Sequence, residues 1–338
     1  MWSPSDGGLG LIARAILAAA LILGLAAGGL TACAPQLQLR ADIRLEPHLE
    51  KDAAVMADGY RLPLTTWAAK RPKAVMIAVH GFNAYSGDFA LAAPWFAKRG
   101  VTVYAYDQRS FGKTAQRGIW PGSDVLVDDL KTVTALIKAQ HPKLPVYVMG
   151  MSMGGAVTMV ALSQGLDAAG AILVAPAIWG WQAMNPLYKS ALWLVAHTAP
   201  AATATGSGLD IWPTDNIDVL RAMGKDELYI RETRFDSVYG LVTLMDEAYS
   251  IAPRLKTPLL YLYGANDQLV PKGPTAAVMA SLRGPRTLAY YDQGWHMLLH
   301  DKQRETVYRD ILSWIENHAA PLPSGRELPP GSVAERVR

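Results

Sequence analysis

Short apolar runs alternate with longer stretches of helical spacing along most of this chain. Runs near 60–66, 74–79, 101–106, 145–150, 170–175, 258–263 and 287–291 are rich in Val, Ile, Leu and Tyr and predict strands. Apolar residues at helical spacing near 87–99, 123–140, 152–164, 271–283 and 301–318 predict helices between and after them. This alternation predicts one α/β domain over about 51–319, with a mostly parallel central sheet flanked by helices. It stops between about 177 and 252. There Trp179, Trp181, Met184, Leu187, Tyr188, Leu192 and Trp193 crowd together, and Phe235, Val238, Tyr239, Leu241, Leu244, Met245 and Tyr249 recur at helical spacing. The pattern predicts a helical insertion within the domain, and no internal repeat is visible.

Both ends depart from the alternation. From Ala15 to Leu30 every residue is apolar or glycine, preceded by Arg14, which is a signal-peptide pattern. The segment 320–338, rich in Pro, Gly and charge, is expected to be disordered.

Composition narrows the function. The 338 residues carry a net charge of +3, with both signs interspersed. No basic tract is interleaved with aromatics, so nucleic acid is not an expected partner. A single cysteine, Cys33, leaves no disulfide to stabilise the domain.

The most informative stretch is Pro145-Val-Tyr-Val-Met-Gly150-Met-Ser152-Met-Gly154-Gly155. It reads as a buried strand entering Gly-x-Ser-x-Gly and then a helix, the arrangement that lifts a serine oxygen clear of a sheet edge on a tight turn. A serine hydroxyl needs a base, and the base needs an acid to orient it. In this arrangement the acid and then the histidine follow the serine along the chain. Asp267 lies in the loop after the run 258–263, and His296 just beyond 287–291, both where catalytic groups collect in α/β sheets. Asp292 and Asp301 are the fallback acids. His300, four residues after His296, suggests a helical metal pair, but no glutamate intervenes and no third ligand stands nearby, so no metal is expected. An oxyanion needs two preorganised N–H donors. The amides of Met153, after the serine, and Phe82, after the strand 74–79, are assigned to it; His80 is read as structural.

Taken together, His80-Gly-Phe-Asn, Asp107-Gln-Arg-Ser-Phe-Gly112, Gly150-Met-Ser-Met-Gly-Gly155, Gly264-Ala-Asn-Asp267 and Gly294-Trp-His296 resemble the α/β-hydrolase superfamily. The resemblance is to its monoacylglycerol lipase and lysophospholipase branch, grouped with serine aminopeptidase-like hydrolases, and covers about 55–318. It implies an α/β-hydrolase fold with Ser152 as nucleophile, His296 as base, Asp267 as acid, and Phe82 and Met153 as oxyanion amides. It makes the insertion a cap over the carboxyl edge of the sheet, and with that apolar cap it implies a hydrophobic ester or lipid substrate and no cofactor. Peptidase, thioesterase and acyltransferase chemistry with the same triad stay open, as does a non-catalytic envelope lipoprotein. Two departures stand out: Phe82-Asn83 where relatives often carry smaller residues, and Ser110 where glycine is usual. Asp107 and Arg109 are read as structural within their loop.

Leu30-Thr31-Ala32-Cys33 resembles the lipobox of bacterial lipoproteins. The resemblance implies a signal peptide over 1–32, lipidation of Cys33, a tether over 33–50 and a membrane-anchored protein of the cell envelope. Ala34 suits outer-membrane sorting, facing the periplasm, if the cell is Gram-negative. A transmembrane anchor is the competing reading of the apolar run.

Overall fold

In the computed structural model the apolar runs pair as one nine-stranded sheet. The structure describes residues 34–205, 210–329 and 331–337. The segment 1–32, expected to be a signal peptide, and Cys33 lie outside them.

The strands, in chain order, are β1 (His48–Leu49), β2 (Ala53–Val55), β3 (Arg61–Trp67), β4 (Ala74–Val79), β5 (Val101–Tyr106), β6 (Val146–Met151), β7 (Gly170–Val174), β8 (Thr203–Thr205), β9 (Glu232–Arg234), β10 (Leu259–Gly264) and β11 (Arg286–Tyr291). Their order across the sheet is β1-β2-β3-β5-β4-β6-β7-β10-β11, with β8 and β9 pairing antiparallel as a separate two-stranded sheet. From β5 to β11 every pairing is parallel; β1, β2 and β3 add an antiparallel flank. Strands β4, β5, β6, β7 and β10 are buried at every position, as a parallel strand covered on both faces must be.

The helices are α1 (Ala92–Ala97), α2 (Ser123–Gln140), α3 (Met153–Ser163), α4 (Pro186–Thr198), α5 (Ile217–Met223), α6 (Phe235–Ile251), α7 (Lys272–Ser281), α8 (Arg304–Glu316) and α9 (Val333–Arg336). One core lies between the sheet and α2, α3 and α7; a second, built on Phe89, Phe96, Tyr308, Ile311 and Trp314, lies under α1 and α8; and Ala177, Val242 and Met245 form a small third one in the insertion. The helix expected over 87–99 is split into a 3₁₀ turn, Ser86–Phe89, and the short α1. Pro94 sits in the first turn of α1, where its missing N–H costs nothing. The expected helix 301–318 starts later, at Arg304, because the residues before it serve the loop after β11.

The insertion enters after β7 and returns at β10, two strands paired side by side. It contains α4, α5, α6 and the small β8–β9 sheet. Leu244, Ala248 and Ile251 on α6 join the main core, so this helix is built into the domain. By contrast α4 buries only Ala196 and leaves Leu187, Tyr188, Trp193 and Leu194 exposed.

Two expectations at the chain ends are corrected. The segment 33–50, read as a tether, is pinned to the domain from residue 36. Gln38 N–H donates to the Trp120 carbonyl (2.9 Å), Leu45 N–H to Ala57 (2.7 Å), and β1 pairs with β2. The tail, read from its composition as disordered, lies along the open edge of β11. Tyr290 N–H donates to Arg326 (3.0 Å), Leu328 N–H to Leu288 (2.8 Å), and Leu322, Val333 and Val337 are buried. The physical reason is the row of unpaired backbone groups at a sheet edge, which a short extended segment can satisfy whatever its average composition.

Candidate active site

Ser152 joins β6 to α3 with φ 52° and ψ −118°, a conformation that costs a non-glycine residue about 1–3 kcal/mol. The surroundings hold it there. Ser152 N–H donates to the Val174 carbonyl (3.0 Å), and its own carbonyl accepts from Gly155 (2.9 Å) and Ala177 (2.9 Å). A Cβ on Gly150 would collide with the Gly154 carbonyl, and one on Gly154 with the Val79 carbonyl. Both glycines are therefore demanded by backbone approach, as the Gly-x-Ser-x-Gly spacing predicts. The serine is half-buried between fully buried neighbours.

Asp267 and His296 meet across adjacent loops. The Asp267 Oδ2 lies 2.8 Å from His296 Nδ1, and Oδ1 accepts the N–H groups of Leu269 (2.8 Å) and Val270 (2.9 Å). Those two amides fix the carboxylate's rotation, because they occupy the oxygen that does not face the ring. A carboxylate only accepts, so Nδ1 carries the proton and Nε2 is left with a lone pair. Both side chains are almost wholly buried. The strand order places the end of β6 two ladder spacings, about 10 Å, from the end of β10. Ser152, Asp267 and His296 thus follow the carboxyl ends of β6, β10 and β11, along one edge of the sheet.

The fallback acids are engaged elsewhere. Asp292 pairs with Arg326, and Asp301 accepts from Thr214 and Trp295.

The loop after β4 lies against the serine. A Cβ on Gly81 would stand 3.3 Å from Ser152 Cβ and 3.9 Å from its Oγ. Met153 is the first residue of α3, where an N–H has no carbonyl of a preceding turn to serve. Among the described residues neither the Met153 nor the Phe82 amide donates to a protein acceptor.

The Phe82 ring is held edge-on against Phe111 at 5.6 Å and tilted toward Trp120 at 6.4 Å. Asn83 takes a left-handed φ of 62° and ties this loop to the insertion: its Nδ2 donates to Thr233 Oγ1 (2.6 Å), and its carbonyl accepts from Ile230 (2.9 Å). Ser110 has φ 84°, which explains why glycine is the easier residue there; its hydroxyl donates to the Ile119 carbonyl at 2.7 Å.

His80 is a loop staple. Its Nδ1 bonds the Gly81 carbonyl (2.8 Å), and its Nε2 accepts the Gln108 N–H (3.0 Å), so neither nitrogen is left to move a proton. Burial pushes this imidazole's pKa below the usual value, favouring the neutral ring. His300 faces Asp88 (3.3 Å), whose same oxygen accepts the Tyr229 hydroxyl (2.9 Å). Among the described residues no group of three or more His, Cys, Asp or Glu side chains is arranged to hold a metal. Asp107 works within its own loop and its neighbour, accepting from Ser86 (2.9 Å) and Lys113 (2.9 Å). Arg109 reaches farther than a loop-internal role: it pairs with Asp58 beyond β2 (2.6 Å) and Asp129 on α2 (2.7 Å).

Sequence reasoning missed the segment Trp212–Asn216. Trp212 N–H donates to Gln268 Oε1 (2.8 Å), Met297 N–H to the Pro213 carbonyl (2.8 Å), Lys302 N–H to Asp215 Oδ1 (2.8 Å), and Asn216 Nδ2 to the His300 carbonyl (2.9 Å). The insertion is thereby strapped onto the two loops that carry Asp267 and His296. No local signal in the chain announces this: Thr214-Asp-Asn216 is one polar cluster among several in the insertion, beside Lys225-Asp-Glu227 and Arg231-Glu-Thr-Arg234.

Comparison with known proteins gives one consistent result. A family model described as Hydrolase_4: Serine aminopeptidase, S33 matches residues 70–303. Monoacylglycerol lipase of Mycolicibacterium smegmatis is 23% identical over 276 residues, covering 77% of this chain and 94% of that protein. Phospholipase YtpA of Bacillus subtilis is 29% identical over 263 residues, covering 75% and 99%. Among solved structures, a soluble variant of monoglyceride lipase from Saccharomyces cerevisiae, in complex with a substrate analogue, superposes with a TM-score of 0.68 at 17% identity, covering 84% of this chain and 98% of that one. The monoacylglycerol lipase of Paleococcus ferrophilus gives 0.65 at 20%, covering 76% and 99%. These likenesses show the α/β-hydrolase fold.

Proposed function

The chain belongs to the Hydrolase_4 (serine aminopeptidase, S33) family, and on that premise we propose that it is a serine hydrolase cleaving carboxylic esters of monoacylglycerol- or lysophospholipid-like lipids. In this reading Ser152 Oγ attacks the ester carbonyl while His296 Nε2 takes its proton. Asp267 holds the imidazole in the required tautomer and stabilises the imidazolium that forms. The Phe82 and Met153 amides receive the oxyanion. The proton passes from His296 to the departing alkoxide, leaving an acyl-serine. Water, deprotonated by His296, then releases the fatty acid. The observation that carries the reading is the Asp267–His296 pair at 2.8 Å, which leaves Nε2 with an open lone pair.

A lipid substrate is supported by the relatives' names and by the apolar insertion. The exposed side chains of Leu187, Tyr188, Trp193 and Leu194 on α4 suit work at a lipid surface. We further propose that Cys33 is lipidated and anchors the protein to a membrane of the cell envelope. In support, Gln36 lies beside the insertion: its side-chain oxygen accepts from Arg234 (2.8 Å) at the start of α6. An anchor attached there would hold the insertion toward the bilayer. Among the described residues no helix is long and apolar enough to cross a membrane.

Labelling with a fluorophosphonate tests the nucleophile. Wild-type protein is expected to label and Ser152→Ala not to; equal labelling of the two removes Ser152 from this role. Intact mass after membrane extraction tests the anchor, an unmodified Met1 or a bare Cys33 counting against lipidation.

A further inference from the structure

Asp301 lies five residues after His296 and is fully buried. Its Oδ2 accepts the N–H of Trp295, the residue before His296, at 2.8 Å. Its Oδ1 accepts the hydroxyl of Thr214 at 2.6 Å, and Thr214 is itself fully buried within the insertion. One side chain therefore grips the backbone that carries His296 and the segment that straps the insertion over it.

Such a pair is costly to place in the interior, since a buried carboxylate loses its hydration and apolar side chains of similar volume are often at least as stable. What a carboxylate provides that an apolar pair cannot is direction. The bond from Asp267 to Nδ1 fixes one axis of the imidazole and leaves its swing about that axis to the backbone at 295–297. A displacement of about 1 Å there can cost on the order of 100-fold in rate.

We propose that Asp301 is a positioning residue for His296, with Thr214 as its partner in the insertion, so that the insertion itself holds the base in line with Ser152. This rests on the hydrolase reading above. Four backbone or side-chain bonds from Trp212, Pro213, Asp215 and Asn216 surround the pair, but none of them touches the residue that precedes His296.

The test compares wild type, Thr214→Val, Thr214→Ser and Asp301→Ala. Active sites are counted by fluorophosphonate labelling carried to completion, and turnover of a soluble short-chain p-nitrophenyl ester is expressed per labelled site. Thr214→Val and Asp301→Ala are expected to lower kcat per site by ~10- to 100-fold with KM changed little, the size of a misplaced group. Thr214→Ser, which keeps the hydroxyl, should stay near wild type. The double variant should be no slower than Asp301→Ala, because both changes break the same contact. The proposal is overturned if turnover per site is unchanged while only the labelled fraction or the melting temperature falls. If Asp301→Ala does not fold, the near-isosteric Thr214→Val decides by the same two outcomes. Wild-type protein that takes up no label overturns the hydrolase reading, and this one with it.

Discussion

Gly264 and Gly294 meet backbone to backbone. A Cβ on Gly264 would stand 2.5 Å from the carbonyl carbon and oxygen of Gly294, and 2.5 Å from the Trp295 carbonyl oxygen. The contact draws the loop after β10 against the loop after β11, and Asn266 N–H closes it by donating to the Gly294 carbonyl at 2.8 Å. Asp267 and His296 face each other because these loops can touch. Replacing Gly264 by Ala must push two backbone segments apart. The expected outcome is folded protein whose kcat/KM falls by roughly 100-fold, the cost of displacing a catalytic group by about 1 Å. Kinetics and circular dichroism on the same sample check it.

Asp267→Asn keeps the shape of the acid and changes one property. If its oxygen still accepts from Leu269 and Val270, its amide nitrogen faces His296 Nδ1, and that nitrogen must then accept. The proton is driven to Nε2, which can no longer act as base. By analogy with serine proteases, kcat is expected to drop by on the order of 10⁴. The melting temperature should move little, and proton NMR of the imidazole would report the exchanged tautomer.

Substrate length separates the lipid reading from a small-ester one. Across p-nitrophenyl esters, catalytic efficiency is expected to rise from acetate to a medium or long acyl chain, since each methylene sheltered from water contributes up to about 0.8 kcal/mol. A steady fall with chain length would remove the lipid reading.

Asp301 gives a pH signature. Burial, with a further push from Asp215, raises its carboxyl from the ordinary 3.8 to about 6, against the opposing bonds from Thr214 and Trp295 and the nearby His300. The folded value lies above the unfolded one, so the folded state holds this proton more tightly between about pH 4 and 6. The stability contributed by that proton is fully present below about pH 4 and is lost as pH rises through about 6. Asp301→Asn cannot ionise. Its melting temperature should therefore improve relative to wild type by a few degrees between pH 4.5 and 7.5, as thermal scans at the two pH values would show. A parallel course for both proteins would mean the carboxyl titrates normally.

Much of the fold was legible because it is local. Buried β-branched runs read as strands, and Gly-x-Ser-x-Gly reads as a tight turn whatever surrounds it; Ser152 occupies the left-handed turn the pattern requires. The short antiparallel strands β1 and β2 escaped, being two and three residues long. So did the ordered tail, whose composition is polar although Leu322, Val333 and Val337 are buried. The partners of Arg109 are not legible, because nothing near it in the chain points to Asp58 or Asp129.

What the chain by itself determined is the sequence of elements and the presence of a serine, an acid and a histidine at strand ends, since propensity and steric demand act over a few neighbouring residues. Which of three aspartates turns toward His296, and what the insertion presses against, was decided only by tertiary structure. Asp267 holds that place because two glycines let its loop touch the next one, while Asp292 is taken by Arg326 and Asp301 by Thr214. Side-chain direction at a loop depends on packing against segments tens to hundreds of residues away, and no local periodicity records it.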